Sequence, residues 1–340
     1  MLLARSKNLI SSVLSNLTGN FIRTQDPLGF KSVYWTDWSA GLNLSHGGET
    51  ILYTARIYQM LPYILATASL VEQSRYFLSR KGLDRLVNLG NRVAGEALVS
   101  LKAKRDDTTK IKGQQILQGI SAALSSLGVD AGYLDENEPY SGVLLHDLGL
   151  EELVRPHARK VYALFKQRGV RRVICLDPHT AYMLKEVFPL YIKDYDLEVR
   201  HYLEFLTDRV DDLARAGTQP KEEIDFVIHD SCLLARNLFM ADQVRLVAGA
   251  LGLSLQEPPS SKKDTACCGG PIEYAFSDMS RRVSNIRIKE LAAVSPNILV
   301  SCPICLINLA RYEKELGIKV WDLGEILFST FRHRLAQPKF

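Results

Sequence analysis

The chain has 340 residues, 46% of them hydrophobic, and its 42 basic and 38 acidic side chains leave a net charge of +4. That length accommodates two domains with buried cores. Nearly balanced charge without a Lys/Arg run argues against a nucleic-acid groove, so pairs such as Arg171-Arg172, Lys262-Lys263 and Arg281-Arg282 read as solvated faces.

Residues 1–45 read as an N-terminal arm. Leu9, Ile10, Val13, Leu14 and Leu17 recur at helical spacing beside Arg5 and Lys7. There is no continuous apolar core and no small-residue cleavage site, so a signal peptide is not expected. The spacing predicts a helix packed on its own domain or on a partner, with a membrane-surface helix as the alternative. The uncharged stretch Ile57–Val71 is 15 residues long and contains Gln59, Pro62 and Thr67. A membrane-spanning helix needs about 20 apolar residues. The expected location is cytoplasmic, with peripheral attachment to the inner face of a membrane as the variant.

Residues 46–206 read as a first α/β unit. Ile51–Thr54 is a strand leading to Arg56, and residues 78–107 form a helical insertion. Gln114–Ser126 is a helix, Leu127–Ala131 a second strand and Pro139–Gly142 a loop. His157–Arg168 is a helix, Arg172–Leu176 a third strand and Asp177–Thr180 a third loop, before the closing segment Glu198–Leu206. Residues 207–223, with Gly217 and Pro220, read as a linker.

Residues 224–340 repeat the order. Strand Asp225–His229 leads to Cys232, helix Phe239–Ala250 follows, and strand Leu251–Leu255 enters the loop holding Cys267 and Cys268. Helix Ser284–Val294 precedes strand Asn297–Ser301, the loop Cys302–Cys305, a helix from about Leu306 and the closing segment Lys319–Leu327. The offset between copies is about 121–127 residues. It sets Arg56 against Cys232, Tyr140 and Ser141 against Cys267 and Cys268, Gly142 against Gly269, and Asp177, Pro178 and Thr180 against Cys302, Pro303 and Cys305. Strands alternating with helices predict parallel α/β units whose loops converge beyond the strands' carboxyl ends. The expected fold is therefore α/β, two tandem pseudo-repeated parallel units behind an N-terminal helical arm, the first unit having lost its thiols.

Five of the six cysteines, Cys232, Cys267, Cys268, Cys302 and Cys305, fall at those three loop ends of the second unit, with gaps of 34 and 33 residues. In a reducing compartment such a set binds metal or does redox chemistry rather than forming structural disulfides. Thiolate is the ligand of iron–sulfur clusters and structural zinc, and five exceed the four that a cubane or tetrahedral zinc uses. Side chains of neighbouring strand residues diverge, so Cys267 and Cys268 would serve two different irons. Gly269-Gly270 would let backbone N–H groups approach sulfur.

Cys232, the triplet Cys267-Cys268-Gly269 and Cys302-Pro303-Ile304-Cys305 together resemble the cysteine-rich "CCG" domain. That domain occurs in the B and D components of heterodisulfide reductase, in the E-type succinate dehydrogenase component, and in iron–sulfur oxidoreductases of glycerol-phosphate and lactate use. The resemblance runs along the chain through the repeat, with a degenerate first copy and a second gap slightly shorter than the family's. It implies a non-cubane [4Fe–4S] cluster on the five cysteines, which would be both cluster ligands and catalytic residues acting on a disulfide or thiol. No ferredoxin-type cysteine run, G-x-G-x-x-G or phosphate loop is present. Electrons would thus pass to or from a ferredoxin-like iron–sulfur partner, in the manner of the C component of heterodisulfide reductase, with a flavin subunit as a further candidate partner. The alternatives are a structural or membrane-docking respiratory subunit and a zinc-stabilised scaffold.

Other residues carry weaker expectations. Arg236 either faces the thiols or forms an ordinary surface contact. His229 and Asp230 either relay protons or satisfy loop backbone, the latter being commoner. Cys175 and His179 have metal spacing with His201 as a candidate third ligand, but a core thiol and a loop-capping histidine fit better. The first copy's site would be lined by Arg56, Tyr140, Ser141 and Asp177, holding a polar ligand or nothing.

Overall fold

A computed structural model describes residues 14–15, 17–30, 35–78, 101–103, 106–217, 224–273 and 276–334. Seven strands form two wholly parallel sheets. The first holds β1 (Thr50–Tyr53), β2 (Arg172–Cys175) and β3 (Glu198–His201) in that order, with Tyr53 opposite Cys175 and Cys175 opposite His201. The second holds β4 (Asp225–Ile228), β5 (Ser254–Gln256), β6 (Asn297–Val300) and β7 (Lys319–Asp322), ordered β5-β4-β6-β7. In β1, β2, β4 and β6 the last three residues are buried, as expected of parallel strands covered on both faces.

The strand expected at 127–131 does not form. Leu127 closes the preceding helix, Gly128 turns left-handed at φ +72°, and contact with β1 shrinks to one parallel bridge between Ile51 and Gly132. The neighbouring backbone is occupied by the arm instead: Tyr133 N–H donates to the Ser45 carbonyl and Gly47 N–H to the Tyr133 carbonyl, both at 2.8 Å. A side chain at 132 would put Cβ 1.9 Å from the Gly47 oxygen, so this crossing requires glycine.

Several helices start earlier than apolar periodicity suggests, at Asp107, Glu151, Ser277 and Pro303. Three of these added first turns are polar and carry acidic residues, Asp107, Glu151 with Glu152, and Asp278. Acidic groups favour a helix N-terminus without showing in a hydrophobic pattern. Asp106 caps one of them by accepting the Thr109 N–H at 3.1 Å. The expected linker is helical over Tyr202–Asp208 and Val210–Ala216, while 218–223 lies outside the described residues. So do residues 79–100 of the expected insertion and 1–13 of the arm. The described part of the arm packs on the chain's own core, burying Leu17, Phe21, Leu28, Trp35 and Trp38.

The two sheets are tied together by helix Asp107–Ser126, which lies on the C-terminal helix Leu323–Phe331. A Cβ on Gly119 would sit 2.3 Å from the Gly324 oxygen, and one on Gly324 would sit 2.5 Å from the Ile116 side chain. The backbones therefore touch where two glycines face each other. Tyr58 OH donates to Asp322 Oδ2 at 2.9 Å, and Lys112 Nζ lies 3.2 Å from Glu325, adding polar ties across the junction. Among the described residues no helix is long and apolar enough to cross a membrane.

Candidate thiolate site

Each cysteine is placed by a strand end of the second sheet. Cys232 stands four residues past β4, where the chain enters the wide helical turn Leu233–Asn237. Cys302 is the N-cap of helix Pro303–Ala310, two residues past β6, in extended backbone (φ −151°) with Pro303 at the first helical position. Cys305 follows on the first turn. Both sulfurs thus lie at a helix N-terminus, which favours thiolate.

Cys267 and Cys268 ride an irregular loop beyond β5. Thr265 Oγ1 donates to the Asp230 carbonyl at 3.0 Å, and Arg236 donates to the carbonyls of Lys263, at 2.9 Å, and Thr265. Arg236 is thus neither a charge partner of the thiols nor an ordinary surface ion pair, because its guanidinium pins the segment leading into Cys267. Asp230 is a structural clamp. Its carboxylate takes both terminal nitrogens of Arg245 at 2.9 Å and the Lys262 N–H at 2.7 Å, which leaves it no relay role.

The five thiols touch in a row: Cys232 contacts Cys267, Cys267 contacts Cys268, Cys268 contacts Cys305, and Cys305 contacts Cys302. Cys267 and Cys268 therefore do not diverge as strand neighbours would, because residues 265–270 form no strand and Gly269 is left-handed at φ +88°. Gly269 N–H donates to Cys267 Sγ at 3.3 Å, the expected approach of backbone to sulfur. Gly270 leaves no room for a side chain, since a Cβ there would lie 2.2 Å from Ile304 and 2.4 Å from Asn308. Cys268, Cys302 and Cys305 are buried, while Cys232 and Cys267 are half-buried, so the row has one end open to solvent.

The row shares its protons unequally. The Cys232 and Cys268 thiols hold the Cys267 sulfur well below an ordinary thiol. Burial pushes Cys302 up, but contacts from Cys305 and His179 outweigh it and leave it well below. Cys232, Cys268 and Cys305 are pushed up, chiefly by hydrogen bonding to those neighbouring sulfurs. Five adjacent thiolates repel one another, and only a cation among them lets all five ionise.

Two histidines flank the row. His229 is buried beside Cys268 and Cys305, with a ring nitrogen and the two sulfurs all within 4.8 Å of one another. His179 comes from the first unit, and its Nε2 lies 3.4 Å from Cys302 Sγ. Burial alone would lower the His179 pKa, but the Cys302 thiolate, Asp147 and Asp177 raise it to about 9. His179 thus serves neither of its expected roles, metal pairing with Cys175 or loop capping, because it reaches across to the other unit. Cys175 is fully buried in β2, and His201 caps its helix by accepting the Leu203 N–H at 3.4 Å. Glu273, five residues past Cys268, is buried, and neither carboxyl oxygen has a hydrogen-bond partner among the described residues. Sequence patterning carries no sign of it.

A cavity of ≈ 40 Å³ adjoins His179 and Ile304, lined by apolar residues such as Leu28, Met60 and Val143. A larger pocket of ≈ 580 Å³ opens in the first unit, over Arg56, Tyr140, His157 and Lys160. Ser141 and Asp177 do not line it, and Asp177 is instead the N-cap of helix Pro178–Tyr182. Beneath it Arg56 Nη1 lies 3.6 Å from Asp26 Oδ2, and Arg56 also donates to the Glu138 carbonyl. The Glu138 carboxylate accepts Thr54 N–H at 2.6 Å and Thr54 OH at 2.7 Å. Burial lifts Asp26 to about 6 and Glu138 to about 7, Arg56 opposing it in both. Ala55 (φ +43°) and Arg56 (φ +69°) are both left-handed, a strained pair held in place by this network.

A row of five thiols at the carboxyl edge of a parallel sheet, flanked by glycines and a helix N-terminus, defines a cysteine-rich redox centre. Residues 226–310 match the family model of the cysteine-rich domain, CCG. It is 29% identical over 224 residues to a probable iron–sulfur-binding oxidoreductase, FadF, of Bacillus subtilis, an alignment covering 64% of this chain and 31% of that protein. It is 28% identical over 274 residues to an EtfAB:quinone oxidoreductase of Syntrophomonas wolfei, covering 75% and 37%. The D component of a dihydromethanophenazine:CoB–CoM heterodisulfide reductase of Methanosarcina mazei is 28% identical over 215 residues, covering 60% and 52%. The chain spans about a third to a half of the length of these curated relatives.

The donors fit an iron–sulfur cluster. All five are sulfur, and Gly269 offers a backbone N–H to one of them. A structural zinc takes four ligands and would leave one of the five thiols unused.

Proposed function

We propose that the chain is the thiol/disulfide-active iron–sulfur part of a heterodisulfide-reductase-like oxidoreductase. Cys232, Cys267, Cys268, Cys302 and Cys305 would together hold one non-cubane [4Fe–4S] cluster. When bound, the cluster supplies one-electron redox capacity and iron open to a substrate sulfur. The chain's own residues bury three of the sulfurs, leave the Cys232–Cys267 end accessible, and place Gly269 N–H and His179 on the thiolates. That open end carries the reading, since a substrate disulfide can approach there. Reduction of a disulfide to two thiols takes two electrons and two protons, the electrons coming from a ferredoxin-like iron–sulfur partner or a flavin subunit.

The same proposal treats residues 46–206 and 224–340 as copies of one α/β unit joined by 207–223, behind the arm 1–45. The order β1-β2-β3 of one sheet has its counterpart in β4-β6-β7 of the other. His201 and Asp322 each cap the helix after the last strand in a capping box with Glu204 and Glu325. Asp177 and Cys302 both cap a helix that opens with proline, and Gly142 and Gly269 are both left-handed.

A second reading is electron relay between a flavoprotein and a quinone, without sulfur chemistry. The 28% identity to an EtfAB:quinone oxidoreductase favours it. The test is electron paramagnetic resonance of the anaerobically purified protein, oxidised in the presence of a small thiol. Disulfide chemistry predicts a signal that appears only with the thiol. A cluster whose spectrum ignores thiols and disulfides supports the relay.

A further inference from the structure

Among the described residues His229 is the one buried histidine of the second unit, and its ring is fixed from both sides. Its backbone N–H donates to the Leu299 carbonyl at 2.8 Å, continuing the β4–β6 ladder one residue beyond the strand. Its Nδ1 accepts a hydrogen bond of 3.1 Å from Arg287 Nε. Arg287 lies on helix Ser277–Ala292 at 1% exposure, and the rest of its guanidinium is also occupied. Nη1 donates to Ser260 Oγ at 2.9 Å and to Glu290 Oε2 at 2.8 Å, and Nη2 to Thr265 Oγ1 at 3.4 Å. A guanidinium never gives up its protons and accepts nothing, so Nδ1 must present a lone pair to it.

That contact selects the tautomer. With Nδ1 unprotonated, the neutral ring carries its proton on Nε2. A cationic ring would set a second N–H against the guanidinium. Nε2 is buried and has no partner among the described residues. A buried N–H without an acceptor costs about 1–3 kcal/mol, so the site should supply one. A nitrogen carrying the proton has no lone pair in the ring plane and cannot ligate a metal. His179 presents the contrast, as its Nε2 already meets Cys302.

We infer that His229 is a hydrogen-bond donor to sulfur at the cluster rather than one of its ligands, and that Arg287 acts as a positioning residue by locking the Nε2–H tautomer. The acceptor is a thiolate or sulfide near Cys268 and Cys305. The inference rests on the cluster reading above and extends it: the ligand set is five sulfurs and no nitrogen. Donation to sulfur stabilises the more negative, reduced state, so His229 raises the potential of the centre.

The test uses the anaerobically purified full chain with ¹⁵N-labelled histidine. Pulsed electron paramagnetic resonance of the wild type should show only weak histidine nitrogen coupling, together with a proton coupling that exchanges in D₂O. Strong coupling of a directly bound nitrogen overturns the inference and needs no variant. His229→Phe should keep iron and sulfide but shift the midpoint potential downward, with His229→Gln returning part of the shift through its amide N–H. Arg287→Met should shift it in the same direction by releasing the tautomer. A midpoint potential unmoved by His229→Phe sinks this inference alone, whereas a wild type without iron and sulfide sinks the reading beneath it.

Discussion

The strand ends of the two units meet the same problem, several inward-facing loops converging on one buried spot, and solve it with opposite chemistry. The first unit fills the place with a guanidinium, Arg56 set against the Asp26 carboxyl group and the Glu138 backbone carbonyl, with Thr54 satisfying the Glu138 carboxylate. That network sets a cation among acidic groups and uses no thiol. The second unit fills it with five thiols that cannot all ionise side by side. Shared backbone features, a capped helix after a strand and a left-handed glycine in the loop, therefore do not decide function. The side chains at the loop ends do. His179 shows that the units are not independent either, because the first contributes a nitrogen to the thiols of the second.

This contrast collapses if the second unit's thiols can be removed without consequence. Cys268→Ser should abolish the cluster and its thiol-induced resonance signal, while Cys175→Ser, on a buried strand away from the row, should leave iron and sulfide content unchanged. Next in size is the junction. Gly119→Ala would place a methyl 2.3 Å from the Gly324 oxygen and 2.4 Å from the Phe328 nitrogen. Overpacking against backbone should cost about 3 kcal/mol in urea denaturation. A value near zero would mean that the helices are not in contact as described.

A smaller effect probes the network of the first unit. Asp26 and Glu138 bind protons more tightly folded than unfolded, their pKa values rising from 3.8 to about 6 and from 4.5 to about 7. The stability they contribute is therefore full below about pH 4 and is lost as the pH rises through 6 to 7. Arg56 and Tyr133 are the other charged or titratable groups facing Glu138. Glu138→Gln should flatten the fall in urea midpoint between pH 5 and pH 8 by on the order of 2 kcal/mol. An unchanged pH slope would mean that Glu138 is ionised throughout.

Much of this was legible in the sequence, because cysteines and strand-bounding apolar runs are local signals. The alternation of strands and helices and the loop-end position of all five thiols follow from Asp225–His229, Asn297–Ser301 and the C-x-x-C run. The missed helix starts at Asp107, Glu151 and Ser277 are polar turns that burial periodicity does not register. The missing strand near 127–131 reflects the C-terminal turn of the preceding helix, where the N–H groups of Leu127, Gly128 and Val129 bond back to the carbonyls of Ala123, Leu124 and Ser125. His179 and Arg287 escaped because their partners lie 123 and 58 residues away in sequence. Spacing motifs do not reach that far.

Whether the five thiols of the second unit hold one iron–sulfur cluster, and the first unit none, is decided by iron, acid-labile sulfide and zinc analysis of the anaerobically purified chain, read with Mössbauer spectroscopy. One such cluster predicts about four iron and four sulfide per chain, with the irons inequivalent, and no zinc. One zinc per chain without sulfide, or twice that iron content, would contradict it.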